Sequence, residues 1–229
     1  MAYRERNKMK KAIIFDLDGT LLYTLEDLAD AMNYTLREFE MPERTVDEVR
    51  RFVGNGIKKL IKRAVVPGTS EEVIDKMFDC FKAYYDVHCM DKTRVYDGIM
   101  EELDVLYKKG YKLGIVSNKV DSAVKELNEQ FFSEYITTAI GEKKGVRRKP
   151  APDTVNTALA ELGITAKDAI YVGDSDVDVE TAANSGLPCI SVLWGFRDKG
   201  FLIEHGAVFF AEKPSDLTEI IDNISNGEV

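Results

Sequence analysis

The chain has 229 residues, enough for one sizeable domain or a core domain with a smaller insert. Its 45% hydrophobic and 31% charged content is ordinary for a globular protein, and a net charge of -9 argues against a nucleic-acid or membrane-surface binder, because such partners attract basic patches. Three cysteines (Cys80, Cys89, Cys189) show no C-x-x-C spacing, so neither a disulfide framework nor a zinc site is expected, and a reducing cytoplasm fits. Met1 to Lys11 is polar and basic with no long apolar run after it, so no signal peptide or transmembrane helix is expected. His88 and His205 are far apart, and both are expected to be structural or surface residues.

In chain order, the apolar run Ala12-Ile13-Ile14-Phe15 reads as a buried strand, and it leads directly into Asp16-Leu17-Asp18-Gly19-Thr20. Residues two apart on an extended chain point the same way, so both carboxylates address one point just past the strand end. Their repulsion tends to keep one ionised and one protonated, which suits a nucleophile beside a general acid. An Asp-rich turn capping the strand is the rival reading for this segment in isolation.

From Thr24 to about Met90 the pattern is helical. Leu25, Leu28, Met32, Leu36 and Phe39 make one apolar stripe, Ile57, Leu60, Ile61 and Ala64 a second, and Val73, Met77, Phe81 and Tyr84 a third. Thr24 with Asp27, Thr45 with Glu48 and Thr69 with Glu72 look like capping boxes. With no strand candidate of its own, the block reads as an inserted helical bundle, residues 23–92, within a core of residues 1–22 and 93–229. After Tyr96-Asp97-Gly98 strands and helices alternate. Strands are expected at Lys112–Val116, Tyr135–Ile140, Ala169–Val172, Cys189–Leu193 and Val208–Phe210. Helices are expected through Leu103 and Leu106, at Ser122–Phe132, Thr154–Leu162 and Val177–Ser185, and near Leu217–Ile224. Such alternation implies a Rossmann-like α/β fold, a parallel sheet with helices on both faces.

Three strands end in polar residues: Asp16 and Asp18, then Ser117-Asn118, then Gly173-Asp174 with Asp178 close behind. In a parallel sheet those ends share one edge, where ligands of open α/β sheets bind. Converging carboxylates call for a cation, and hard oxygen donors suit Mg²⁺. In a chain this acidic, an anionic substrate needs local positive charge, most simply that metal and a lysine. Lys149, in a loop stiffened by Pro150 and Pro152, could neutralise a phosphoryl oxygen and separate two carboxylates. Alone, Lys149 reads as a surface lysine and Ser117-Asn118 as a helix cap; the joint pattern promotes them. Gly54-Asn55-Gly56 reads either as a loop whose backbone meets substrate or as an interhelical turn. Arg63, with Lys58 and Lys59, is either a source of charge for a substrate carboxylate or a solvated face.

Taken together, Asp16-Leu17-Asp18-Gly19-Thr20, Ser117-Asn118, Lys149-Pro150 and Gly173-Asp174 with Asp178 resemble the four ordered motifs of the haloacid dehalogenase-like hydrolases. Val53-Gly54-Asn55-Gly56, Leu60, Arg63 and Trp194-Gly195-Phe196-Arg197 resemble the phosphoglycolate phosphatase branch. Tyr23-Thr24 departs from the Asp-Ser pair of many relatives, and Tyr96-Asp97-Gly98 stands where relatives often have a proline before the glycine. The resemblance implies that the helical insert is a small cap and that Asp16 attacks phosphorus to form an aspartyl-phosphate. Asp18 would act as general acid and base. It also implies that Asp16, Asp18 (through its carbonyl) and Asp174 hold Mg²⁺ with Asp178 nearby, and that Ser117, Asn118 and Lys149 bind phosphoryl oxygens. The expected substrate is a small phosphorylated metabolite, first 2-phosphoglycolate, handled by a cytoplasmic monomer without nucleic-acid or membrane partners. A β-phosphoglucomutase-like phosphotransferase, a pyrophosphatase or nucleotidase, and a receiver-like phospho-acceptor switch are the alternatives.

Overall fold

The computed structural model describes residues 11–54 and 56–227, which fall into two compact units, Leu22–Val95 and the remainder on either side of it. Strand β1 (Ala12–Phe15) opens the first unit. The inserted unit carries β2 (Leu22–Tyr23), α1 (Leu25–Glu38), α2 (Val46–Phe52), α3 (Ile57–Ala64), α4 (Glu71–His88) and β3 (Arg94–Val95). The first unit then resumes with α5 (Ile99–Lys108), β4 (Lys112–Val120), α6 (Asp121–Phe131), β5 (Ile136–Glu142), α7 (Asp153–Leu162), β6 (Ala169–Gly173) and α8 (Asp176–Ser185). Strand β7 (Cys189–Val192), α9 (Lys199–Glu204), β8 (Phe209–Ala211) and α10 (Leu217–Asn226) complete it.

The main sheet is parallel throughout, in the order β5-β4-β1-β6-β7-β8. Every residue of β1 is at most 1% exposed, as a strand covered on both faces requires. Ala12, Ile14, Ala169 and Tyr171 share one face and pack with Val155, Ala158, Leu159 and Leu162 of α7 and Ala182 of α8. Ile13, Phe15, Ile170 and Val172 alternate to the other face and are equally buried. This is the expected architecture.

The inserted unit departs from expectation in three places. Leu22–Tyr23 and Arg94–Val95 pair antiparallel, a two-residue ladder too short to leave a period in the sequence, so the insert is not wholly helical. The Thr45–Glu48 capping box forms, but Thr24 makes no side-chain cap. Its expected partner, Asp27, is buried and accepts the backbone N–H groups of Lys92 and Thr93, which ties α1 to the returning chain. The α4 cap is Ser70, not Thr69, whose hydroxyl donates to the Val66 carbonyl. In the first unit, helix α9 is an element the pattern did not announce.

Candidate active site

The connection from β1 leads to α5 and β4 on one side, while the connection from β6 leads to β7 on the other. The sheet's topological switch point therefore lies between β1 and β6, where a crevice opens beyond the strand C-termini. Phe15 is in register with Val172 on one neighbour and Ile115 on the other. Asp16, Asp174 and Ser117 therefore leave the sheet at the same edge, and the Asp16 N–H donates to the Val172 carbonyl at 2.9 Å. Sequence positions more than a hundred residues apart meet because a parallel sheet stacks their strands.

Lys149 is the hub of the buried polar cluster. Its ammonium donates to Asp16 Oδ1 at 2.6 Å, to Asp178 Oδ1 at 2.8 Å and to the Tyr171 hydroxyl at 3.1 Å. The Tyr171 hydroxyl in turn donates to Asp178 Oδ1 at 2.9 Å. Asp178 Oδ2 accepts the Ser175 hydroxyl at 2.6 Å and the backbone N–H groups of Asp174 and Ser175. All lone-pair directions of Asp178 are thus in use, and its carboxylate acts on the ammonium and on the turn after β6. Burial alone would raise Asp178, but Lys149 and these donors overcome it and hold the carboxylate below its ordinary range. Burial would likewise lower Lys149, and the two carboxylates outweigh it to raise its pKa.

Asp174 is 1% exposed and reaches the same point from β6. Its Oδ2 accepts the Phe196 N–H at 2.7 Å. The loops around it leave no spare volume: a Cβ at Gly195 would lie 2.3 Å from Asp174 Cβ, and one at Gly19, where φ is +89°, would lie 2.3 Å from Asp174 Oδ2. Glycine is required at both places by close approach. Carboxylate oxygens of Asp16, Asp174 and Asp178 all lie within 4.8 Å of one another. Burial first, then Asp178, raise Asp16 to about 7 against the pull of Lys149, and burial with Asp178 and Asp16 pushes Asp174 well above the ordinary carboxylate range. Three carboxylates around one buried ammonium, with Arg197 the further cation acting on Asp174, leave the cluster net negative when all are ionised. A divalent cation supplies that balance, and an all-oxygen donor set fits a hard ion such as Mg²⁺.

Asp18 lies at the rim. Its Oδ2 is 3.5 Å from the Ser117 hydroxyl, and its Oδ1 is 3.2 Å from the Lys119 ammonium. Ser117 Oγ also accepts the Lys119 N–H at 3.1 Å. Asn118 makes a reciprocal pair with Lys149: its Nδ2 donates to the Lys149 carbonyl at 3.0 Å, and its Oδ1 accepts the Lys149 N–H at 2.8 Å. Its amide therefore fixes the backbone from which the buried ammonium projects. Trp194 donates its indole N–H to the Thr20 carbonyl, a bond to the first motif's turn.

Tyr171 and Lys119 stand at the cluster, and sequence reasoning missed both. Tyr171 carries the one side-chain polar group in the strand Ala-Ile-Tyr-Val-Gly, which was the available signal. Lys119 directly follows Ser117-Asn118 and was within reach of the same argument. Phe196, within the Trp194-Gly195-Phe196-Arg197 stretch quoted above, contributes its backbone N–H to Asp174, a contact that its side-chain type does not mark.

In the inserted unit, Gly54 and Gly56 have φ of +109° and +90°, and Asn55 lies outside the described residues. The exposed Arg63 guanidinium donates to the Phe52 carbonyl at 2.7 Å, with the Val53 and Gly54 carbonyls at 3.5 Å, so it braces the loop before α3. The Arg94 guanidinium lies 4.2 Å over the Tyr23 ring, a cation–π contact within the short ladder.

The haloacid dehalogenase-like hydrolase profile matches residues 13–192. Phosphoglycolate phosphatase of Aquifex aeolicus is 31% identical over 214 residues, covering 93% of this chain and 97% of that protein. Pyrophosphatase PpaX of Listeria welshimeri is 32% identical over 212 residues, 91% of this chain and 95% of its own length. Among solved structures, a candidate phosphoglycolate phosphatase from Lactobacillus delbrueckii superposes with a TM-score of 0.88 at 36% identity, covering 93% of this chain and 99% of that one. The full-length match removes the receiver-like switch from consideration. By sequence, fold and the order of its site segments, the chain belongs to the haloacid dehalogenase-like hydrolases, on their phosphoglycolate phosphatase-like branch.

Proposed function

We propose that this protein is a Mg²⁺-dependent phosphatase of small phosphorylated metabolites, with 2-phosphoglycolate the first candidate substrate and pyrophosphate the second. The observation that carries this reading is the buried cluster of Asp16, Asp174 and Asp178 around the Lys149 ammonium at the switch point of the sheet. The Asp16 carboxylate attacks phosphorus, the ester P–O bond breaks, and Asp18 hands its proton to the departing oxygen, leaving an acyl phosphate on Asp16. Asp18 then takes a proton from the water that attacks phosphorus, which releases inorganic phosphate and restores Asp16. Bound through the carboxylates of Asp16 and Asp174 and the Asp18 carbonyl, Mg²⁺ would neutralise charge on the transferring phosphoryl group. Lys149 opposes the rise that burial imposes on Asp16 and offers its charge to the phosphoryl oxygens, Asp178, Tyr171 and Asn118 hold Lys149 in place, and Ser117 donates to the phosphoryl group.

Phosphate-monoester hydrolysis requires acceleration of up to ~10²¹-fold, whereas a single acid or base contributes ~10²–10⁴-fold, so covalent, metal and electrostatic contributions must combine. The inserted unit is proposed to act as a cap that governs substrate access. A reducing, cytoplasmic setting accords with the free thiols of Cys80, Cys89 and Cys189. The pyrophosphate reading rests on the likeness to the Listeria protein. Phosphate release from a metabolite-phosphate panel with Mg²⁺ tests the proposal: Asp16→Asn is expected to lower turnover at least ~10³-fold. Wild-type turnover in that variant would overturn the mechanism.

A further inference from the structure

From the placement of Lys119 we infer that this site selects phosphate compounds whose leaving group is itself an anion, and that Lys119 is the residue that reads that second negative charge. The inference rests on the proposed roles of Asp16 and Asp18 and extends them to the leaving group.

Two ammonium groups stand at the carboxylate cluster, and they are placed differently. Lys149 is sealed behind Asp16, 4% exposed, with its donors directed to Asp16, Asp178 and Tyr171. Lys119 stands at the rim with a side chain 13% exposed, beside Asp18 rather than Asp16. Asp18 is the group that must touch the departing oxygen, so whatever lies beside Asp18 lies beside the leaving group. Adding the 3.2 Å between Lys119 Nζ and Asp18 Oδ1 to a hydrogen bond of ~2.5–3.0 Å puts the ammonium within about 6 Å of an oxygen protonated by Oδ1. A carboxylate borne on the adjacent carbon of the leaving group has its oxygens three bonds from that atom. In pyrophosphate the leaving phosphate carries its charged oxygens only two bonds away. Both fall within reach of a side chain with four rotatable carbons and three rotating donors.

The backbone around Lys119 is fixed. It lies in β4, its N–H is held by Ser117 Oγ, and the Asn118 amide is bonded in both directions to the Lys149 backbone. The ammonium therefore stays on the leaving-group side of the site while its tip can exchange Asp18 for a substrate oxygen. The two activities named among the relatives, on phosphoglycolate and on pyrophosphate, share an anionic leaving group, and a cation beside Asp18 is a common means of recognising it.

The experiment compares three substrates in the Mg²⁺-loaded protein: 2-phosphoglycolate, pyrophosphate and 2-hydroxyethyl phosphate, whose leaving group has the length of glycolate without its charge. Wild type, Lys119→Met and Lys119→Arg are each assayed for kcat and KM. The expected result is that the preference in kcat/KM for 2-phosphoglycolate or pyrophosphate over 2-hydroxyethyl phosphate falls roughly 10–100-fold in Lys119→Met. The fall is expected mainly in KM, and Lys119→Arg should retain most of the preference. Whichever anionic substrate shows the larger fall identifies the class that Lys119 serves. A ratio in Lys119→Met equal to wild type, with all substrates slowed alike or none slowed, would overturn the inference while leaving the phosphatase reading intact. Wild type inactive on all three would overturn both.

Discussion

The two units use charge in opposite ways. In the inserted unit the ion pairs are on the surface: Lys62 with Glu71, Lys76 with Glu72, and Lys82 with Asp86, each partner more than 40% exposed. Around the sheet edge the pairs of Lys149 with Asp16 and Asp178 are at least nine-tenths buried. Water screens the first set, and each pair there contributes little. The second set lies where desolvation is severe and unbalanced charge is costly, so it costs stability whenever one partner is missing and fits the chemistry proposed for it. The same residue types thus make a solvated face in one unit and a reactive centre in the other, and burial decides which.

The largest contrast is expected for Lys149→Met. It leaves Asp16 and Asp178 facing each other without the ammonium, and a loss of about 3–5 kcal/mol in metal-free protein is expected by urea denaturation, with phosphate release abolished. A variant as stable as wild type would remove the contrast between the units.

Metal should restore balance in a pH-dependent way. In metal-free protein the Asp16 pKa is raised from 3.8 to about 7, so its share of stability is fully present below about 4 and lost as pH rises towards 7. Mg²⁺ requires the ionised carboxylate, so the gain in Tm on adding Mg²⁺ should be larger at pH 8 than at pH 6, approaching the equivalent of ~2.7 kcal/mol at a hundredfold excess over Kd. An equal gain at both pH values, measured by thermal denaturation, would show that Asp16 is not part of the metal site.

Gly19→Ala sharpens the comparison from the backbone side. Its positive φ and the 2.3 Å approach to Asp174 Oδ2 predict a loss of about 1–2 kcal/mol together with a drop in activity, because Asp174 must move. Stability loss with full activity would mean that the precise position of Asp174 is unimportant. The smallest effect is expected for Lys76→Ala in the inserted unit, a change in Tm of no more than about 2 °C and none in turnover.

Much of this was legible in the sequence, for physical reasons. Strands β1 and β6 are buried on both faces and so appear as unbroken apolar runs, each ending in aspartates that have no place in a core. That contrast is visible without coordinates and singles out Asp16, Asp18 and Asp174, whereas Lys149 is picked out only by the joint pattern. What stayed hidden depends on contacts across the fold. Asp27 reads as half of a capping box until the return of Lys92 and Thr93 claims its carboxylate. The hydrogen bonds that occupy both oxygens of Asp178 come from Lys149, Tyr171, Ser175 and the turn before α8, and only the fold brings them together. The β2–β3 ladder and α9 are too short to carry a period.

The hydrogen bond from Lys149 to Asp16 joins residues 133 positions apart, and the partners on β6 and in the turn after it lie further along the chain still. During synthesis Asp16, the proposed nucleophile, therefore leaves the ribosome long before the Lys149 ammonium that pairs with it. A nascent chain cut short before position 149 lacks the Lys149 ammonium as well as Asp174 and Asp178, so the buried cluster assembles only when the second half of the sheet closes around the first strand.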